Sequence, residues 1–358
     1  MLPVFQPSPE DWPFLRRLIW TILAGAALVV LWRASDLLLL AFGSILGAVM
    51  FRSAAHLFER IGIANKHLAL ALGTLLILAL FATVGWLLVV QFGSELSAML
   101  GDLPGTLSSI ERNLGSSEVG AAIVEAIRSA AGDEAIASRL GDVVLGSGRL
   151  LLNFLIVLVG AMFIAVDPRP YRRAIVLLTP PPGRAAVEHA LDQVITALKL
   201  WLKAKLVTMA IMTVLISASL WWAGLESWAA LGLLGGLSEF VPYVGPAVAM
   251  LPSIGLAAAA GGSVFWRTVA GYVVARLFEA YLMTPLVNRR VVRIPPALTL
   301  FVILGVGAVF GIYGVFFAGA LLVVAYVGIR ELYLRDTLGE DIEGVPAKTR
   351  PRGPPLRR

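Results

Sequence analysis

The chain has 358 residues, of which 58% are hydrophobic and 15% are charged, and its mean hydropathy is +0.85. A water-soluble domain could not bury this much apolar surface, so the composition indicates a polytopic membrane protein. The absence of cysteine excludes disulfides and thiolate chemistry, and the net charge of +6 comes from Lys and Arg beside apolar runs, which is typical of membrane topology rather than nucleic-acid binding.

The first part of the chain predicts a flexible arm and three membrane spans. The arm, residues 1–14, is polar and rich in proline, and residues 15–93 hold three apolar runs. These runs end at Trp32, cover residues 37–51 and cover residues 68–92. Arg52, Arg60 and Lys66 predict a basic loop between the second and third runs. No small-residue cleavage site follows the first run, so we expect a retained span rather than a signal peptide.

Residues 94–147 differ from the rest of the chain because they are acidic. They contain eight acidic residues and three arginines, a net charge of −5, and their apolar residues recur at helical spacing. Pro104 and Gly115 divide the pattern into amphipathic helices. The acidic balance places this segment outside the cytoplasm. We expect it to form a structural extramembrane cap, and direct capture of substrate is the alternative.

Residues 148–205 combine a fourth span with a basic cytoplasmic segment. The span covers residues 150–166, and residues 168–205 carry a net charge of +5. Apolar residues at helical spacing between Val187 and Trp201 predict an amphipathic helix that continues into a fifth span at 206–222. We interpret the lysines of this segment, Lys199, Lys203 and Lys205, as membrane-surface anchors, with a role in substrate handling as the alternative.

Residues 206–330 form a core in which two apolar blocks are interrupted by helix-breaking residues. The first block, residues 228–260, is broken at 238–246, where two prolines and a glycine occur within nine residues. The fifth span ends outside near Glu226, whereas the basic cluster at 289–293 should be cytoplasmic, and one span at 266–287 lies between them. The first block must therefore return to the side it entered from. We predict a helical hairpin that dips into the bilayer.

The second block, residues 296–329, predicts another hairpin that enters from the opposite side. Its middle, residues 305–314, is rich in glycine, and both of its ends should be cytoplasmic because Arg293 and Arg330 flank it. With an offset of 70 residues, Leu234, Gly235, Phe240 and Tyr243 fall on Leu304, Gly305, Phe310 and Tyr313. Broken helices in corresponding halves indicate an inverted repeat built around a transport site.

The predicted fold is therefore an all-α polytopic membrane protein. It has about six full spans plus two opposed helical hairpins, about eight apolar segments in all, and an amphipathic helical extramembrane segment. Residues 331–358 form a cytoplasmic tail, so both termini are predicted to be cytoplasmic.

Residues 236–246, with the sequence GLSEFVPYVGP, resemble the signature of the AI-2E family of permeases, also called autoinducer-2 exporter-like transporters. Further positions match the family, namely Glu279, Pro285, Pro296, Gly311 and Gly314. The specific match covers residues 228–325, and the family's layout covers nearly the whole chain. Two positions depart from the family. Gly319 stands where a proline is usual, and Arg276 lies in the span after the first break, which often has a more polar face in the family.

The resemblance implies a transporter in the bacterial cytoplasmic (inner) membrane. Members are linked to export of a small signal, autoinducer-2, and others to exchange of cations for protons, so the resemblance does not identify the substrate. A secondary transporter that works by alternating access is the leading hypothesis. A channel-like permease and a non-transporting membrane scaffold are the alternatives.

Candidate pathway residues lie in the two breaks and in the span after the first break. They are Ser238, Glu239, Pro242, Tyr243, Gly245, Pro246, Arg276, Glu279, Thr284, Asn288, Gly311, Tyr313 and Gly314. Glu239 could bind a cation or a proton, or it could cap a half-helix. Arg276 and Glu279, three residues apart, form either a structural ion pair or one that opens when substrate arrives.

The remaining candidates have a structural and a functional interpretation each. Pro242, Gly245 and Pro246 shape the backbone, and Gly311 and Gly314 permit close helix packing. Tyr243 and Tyr313 are interfacial anchors or gates, whereas Thr284 and Asn288 line a path or pack between helices.

Signatures of enzymes and cofactors are missing from the sequence. It contains no Gly-x-x-x-x-Gly-Lys loop, and its three histidines have no metal-ligand spacing. We therefore expect no catalytic residue, no cofactor and no metal. The expected partners are the lipid bilayer, a small-molecule or ion substrate, and further copies of the chain in a homo-oligomer, but no nucleic acid.

Overall fold

The computed structural model describes residues 33–87, 147–283 and 294–337, together with isolated positions between residues 16 and 29. Within these ranges the chain is helical and contains no strand. The described ranges hold nine α-helices: α1 (Ser35–Arg60), α2 (Lys66–Leu87), α3 (Ser147–Val166), α4 (Arg169–Leu178), α5 (Arg184–Ala223), α6 (Trp228–Ser238), α7 (Val244–Ala260), α8 (Gly262–Phe278) and α9 (Pro296–Ile329). A short 3₁₀ turn precedes α5, and π-helical turns extend α8 to Met283 and α9 to Thr337.

The predicted all-helical membrane architecture is confirmed for the described residues. By length and composition alone, four of their helices, α1, α2, α5 and α9, could cross a membrane, although α9 is broken at Gly311. The helices α3 and α4 make a fifth if that pair is one span bent by 89°. The total of about eight apolar segments stays a prediction. The arm at 1–14, nearly all of the acidic segment at 94–147 and the tail after residue 337 lie outside the described residues.

The helix α1 is longer than the span predicted at residues 37–51. It continues through Arg52 to Arg60, so the basic loop before α2 shrinks to residues 61–65. Within this helix the Nε of Arg52 donates a hydrogen bond of 2.8 Å to the carbonyl oxygen of Ala165 on α3. A charged side chain with a partner on a neighbouring helix does not have to end a span.

Small residues bring α1, α2 and α3 into close contact. A Cβ added to Gly47 of α1 would lie 2.8 Å from the Cβ of Ala161 on α3, and one added to Gly73 of α2 would lie 2.5 Å from the backbone nitrogen of Ala55. Residues nearer the C-terminal end of α1 contact residues nearer the C-terminal end of α3, so these two helices run parallel. Close backbone approach through small residues is the usual basis of helix association in membranes.

The helix α5 joins the predicted amphipathic helix and the predicted fifth span in one piece. Its 40 residues correspond to a length of about 60 Å, which exceeds the thickness of the hydrocarbon core. Near its start, Arg172 of α4 forms ion pairs of 3.1 Å with Glu188 and 2.8 Å with Asp192. The helix α6 then packs back along α5, where a Cβ on Gly236 would lie 1.9 Å from the Oγ1 of Thr213.

The first helical break separates α6 from α7, where the prolines and glycine predict it. It is shorter than the predicted nine residues, because only residues 239–243 are non-helical and Gly245 and Pro246 already belong to α7. The two short helices are packed against each other, and a glycine pair joins α7 to α8, with Gly261 between the helices and Gly262 as the first residue of α8. Residues 228–260 are therefore two short apolar helices rather than one span.

The second break lies in α9 at Gly311, which has φ of 62° and ψ of −148°. A Cβ on Gly314 would lie 2.4 Å from the carbonyl oxygen of Val306, although a straight helix separates residues eight apart by about 12 Å. The chain therefore folds back at Gly311. We call residues 296–310 the first arm of α9 and residues 312–329 its second arm.

Candidate functional site

The turn between α6 and α7 is tight and strained. Tyr243 has φ of 63° and ψ of −56°, and the N–H of Val244 donates a 2.7 Å hydrogen bond to the carbonyl oxygen of Pro242. This geometry is a γ-turn with positive φ, a conformation that L-residues rarely adopt. A Cβ on Gly245 would lie 1.9 Å from the carbonyl oxygen of Ser238, so the closure of this turn requires glycine.

Glu239 is the first residue of this break, and its side chain is directed into the protein. The residue is only 1% exposed, and its Oε1 accepts a 2.7 Å hydrogen bond from Nη1 of Arg276 on α8. The same Nη1 contacts Oε2 of Glu279 at 2.5 Å, one helical turn further on. The predicted pair of Arg276 and Glu279 is thus present, and Glu239 joins it.

Lys205 of α5 completes the site from a third element. Its Nζ donates a 2.8 Å hydrogen bond to the backbone carbonyl oxygen of Glu239, a group that the helix break leaves without its usual partner. This contact replaces the interpretation of Lys205 as a surface anchor. The sequence does contain one indication that Lys205 differs from the other lysines. It is the last charged residue before the apolar run 206–222.

We call Lys205, Glu239, Arg276 and Glu279 the charge cluster. It contains two acidic and two basic side chains, so its charges balance when all four are ionised. Nη2 of Arg276 is buried and finds no hydrogen-bond partner within the described part of the chain. Burying a guanidinium nitrogen without a hydrogen-bond partner costs free energy. An oxygen atom of a ligand could accept a hydrogen bond from this nitrogen.

Aromatic rings connect the first break to α9. Phe240 stacks on Phe316 of the second arm with a centroid distance of 4.5 Å, and it also meets Trp201 of α5 edge-on at 5.7 Å. Phe316 contacts Phe317 at 5.0 Å, and Phe317 contacts Phe42 of α1 at 5.9 Å. The tip of the first hairpin is therefore packed against the second arm of α9, beside the charge cluster.

The other predicted residues of the first break are at or next to the turn. The Oγ of Ser238 donates a 2.6 Å hydrogen bond to the carbonyl oxygen of Gly235, Pro242 faces Gly319 of the second arm, and Pro246 is buried in the first turn of α7. Tyr243 is 52% exposed and does not contact the charge cluster through any described bond.

The predicted residues of the second break form a separate group. The hydroxyl of Tyr313 accepts a 3.0 Å hydrogen bond from Nδ2 of Asn153 on α3, close to Gly311 and Gly314. Sequence reasoning missed Asn153, although a lone amide inside an apolar run was visible. Thr284 and Asn288 lie outside the described residues, so their predicted role is untested.

Comparison with known proteins relates the chain to a family of transporters and to a distant relative. A family model described as "AI-2E family transporter" matches residues 18–333. The Bacillus subtilis (strain 168) protein named "Putative transport protein YrrI" is 23% identical over 156 residues, which cover 44% of this chain. The matched region also spans 44% of that relative, less than half of its length.

Proposed function

This chain belongs to the AI-2E family of transporters, and from that premise we propose that it exports a small molecule across the bacterial cytoplasmic membrane by alternating access, with protons as the coupling ion. The observation that carries the proposal is Glu239, almost fully buried at a helix break and bonded to Arg276. Ionisable groups at membrane depth are costly, and proteins retain them mainly in ion, proton and substrate pathways.

The charge balance of the cluster supports coupling to protons. When Glu239 takes up a proton, its negative charge disappears and its hold on Nη1 of Arg276 weakens. The cluster then carries one net positive charge, which favours rearrangement of the turn. A proton bound at Glu239 would therefore change which conformation of the first hairpin is more stable.

The second half of the proposal concerns the exported molecule. Nη2 of Arg276 has no hydrogen-bond partner among the residues that the structure describes, and an oxygen atom of a solute would satisfy it. We propose a small, oxygen-bearing solute, with an autoinducer-2-like signal as the example that the family suggests. Cation-for-proton exchange is the second candidate, because the carboxylates of Glu239 and Glu279 could also hold a cation once Arg276 moves away.

The conformational change has identifiable hinges. Tyr243 at the tip, Gly261 and Gly262 after α7, and Gly311 in α9 all have positive φ, and all four lie at or next to the two hairpins. Chain breaks at such positions absorb the φ/ψ changes of hinge motion. We propose that the first hairpin moves as a unit, while α1, α2 and α3, which are tightly packed through small residues, form the scaffold.

The test is transport by the purified chain in sealed proteoliposomes that contain a pH-sensitive dye. We compare the unmodified protein, Glu239→Gln and Glu226→Gln, since Glu226 is an exposed glutamate in the loop before α6. We expect pulses of autoinducer-2 or of Na⁺ to drive proton flux in the unmodified protein and in Glu226→Gln. We expect at least a tenfold loss in Glu239→Gln.

The same assay separates the alternatives. An ohmic current without saturation would indicate a channel-like permease. Equal flux in Glu239→Gln and the unmodified protein would contradict the assignment of the site, and a lack of flux in all three proteins would favour the scaffold.

A further inference from the structure

A partly open cavity lies between α1, α3 and the second arm of α9. It has a volume of about 290 Å³, at the small end of the range for small-molecule sites. Four polar side chains line it, namely Arg33, Asp36, Asn153 and Tyr313, and its wall is apolar, with Leu40 and Phe317 among the residues there. None of these residues belongs to the charge cluster. We call this space the α1–α3 cavity.

We infer that the α1–α3 cavity is a second binding site, and that its ligand is a small solute with no net charge and several hydroxyl or carbonyl groups. The inference rests on the cavity and its lining residues. Only the role of the site in transport rests on the proposed function.

The lining residues define the charge of the ligand. Arg33 and Asp36 are three residues apart at the start of α1, so opposite charges face the same space. Because the two charges cancel, neither a bare cation nor a bare anion gains a net electrostatic attraction in this space. A neutral solute with both donors and acceptors matches the balanced charge of this lining.

The hydrogen bond between Asn153 and Tyr313 defines the polar groups of the ligand. Because the Tyr313 oxygen accepts the Asn153 N–H at 3.0 Å, the hydroxyl hydrogen of Tyr313 is available to donate to an oxygen atom in the cavity. This bond also joins α3 to the turn after Gly311. A ligand at Tyr313 therefore contacts the break in α9 directly.

The position of the α1–α3 cavity relates it to the charge cluster. Phe317 lines the cavity, whereas its neighbour Phe316 stacks on Phe240, the residue after Glu239. The second arm of α9 thus separates the two sites by the width of one helix. Movement of this arm about Gly311 would connect them, so the cavity is placed to hold the solute before or after its passage past Glu239.

The experiment measures saturable binding of two radiolabelled neutral probes, erythritol and dihydroxyacetone, to the purified full chain in lipid nanodiscs. The variants are Tyr313→Phe, which removes only the hydroxyl, and Asn153→Leu, which removes the amide. Tyr333→Phe is the matched control, because Tyr333 is 55% exposed on the π-helical extension of α9. We expect at least one probe to bind the unmodified protein and Tyr333→Phe, and at least fivefold weaker binding to the two cavity variants.

Several results would overturn the inference. The first is that neither probe binds, and the second is that Tyr313→Phe binds the probe as tightly as the unmodified protein does. The third is that phosphate or Na⁺ displaces the probe. The fourth is that the unmodified protein carries a tightly bound lipid that Asn153→Leu lacks. Failure of the proposed function is distinguishable, because Glu239→Gln should still bind the probe although it does not transport. If a variant loses transport but still binds the probe, the result tests the proposed role of Glu239 and leaves the inference about the α1–α3 cavity intact.

Discussion

The side chain of Glu239 has two properties that support our proposal of a pathway role, since it is ionisable and it is buried at the break between α6 and α7. Its partners come from two distant parts of the chain. Arg276 bonds its carboxylate, and Lys205 bonds its backbone carbonyl. The two bonds have different consequences, because the first depends on the charge of Glu239 and the second does not. Lys205 therefore holds the turn in either protonation state.

Replacing Lys205 tests this division of roles. In Lys205→Met the carbonyl of Glu239 loses its donor, and we expect the protein to lose about 1–2 kcal/mol of stability because a partly buried acceptor is left unsatisfied. Lys203→Met is the control, since Lys203 is exposed two residues earlier on α5. Thermal unfolding in detergent measures both variants. Equal melting temperatures for the two would show that the Lys205 bond does not support the turn.

At the residue scale, part of the site could be predicted from the sequence. Glu239, Arg276 and Glu279 stand out because charges within apolar runs need a reason to be there. Lys205 and Asn153 were missed for a physical reason. Their partners are 34 and 160 residues away, and such contacts depend on helix packing that local sequence patterns do not encode.

At the scale of single elements, the two helix breaks depend on glycine in different ways. Gly311 supplies a positive φ, whereas Gly245 supplies space, because the carbonyl oxygen of Ser238 occupies the position of a Cβ. Both breaks could be predicted from proline and glycine content. The end of α1 could not be predicted, since a charged residue such as Arg52 suggests a loop, whereas arginine favours a helix and a carbonyl of α3 accepts its hydrogen bond.

A methyl group at Gly245 should therefore prevent the turn from closing. We expect Gly245→Ala to lower the melting temperature by several degrees and to abolish transport, because backbone rather than a flexible side chain must move. Gly305→Ala is the control, since a Cβ at Gly305 has open space around it and alanine favours the helix. A normal melting temperature for Gly245→Ala would mean that the turn is looser than described.

At the scale of the whole molecule, the two hairpins are in direct contact through Phe240 and Phe316. The distribution of Lys and Arg predicted two hairpins with opposite entry, and the structure contains two broken helices at the predicted places. The contact between the hairpins could not be predicted from the repeat. The repeat aligns Phe240 with Phe310, whereas the ring that Phe240 contacts is that of Phe316. The orientation of the termini and the homo-oligomer remain predictions.

The central claim is that the tip of the first hairpin lies on an alternating pathway. The chain has no cysteine, so Ser238→Cys introduces a single thiol at the tip. Its labelling by a membrane-impermeant reagent is measured in sealed right-side-out and inside-out vesicles at several pH values. Ser227→Cys, before the start of α6, is the control that should label from one side only. We predict that Ser238→Cys labels from both sides, with a balance that shifts with pH. Labelling from one side under every condition would contradict the account and place the tip at a fixed surface.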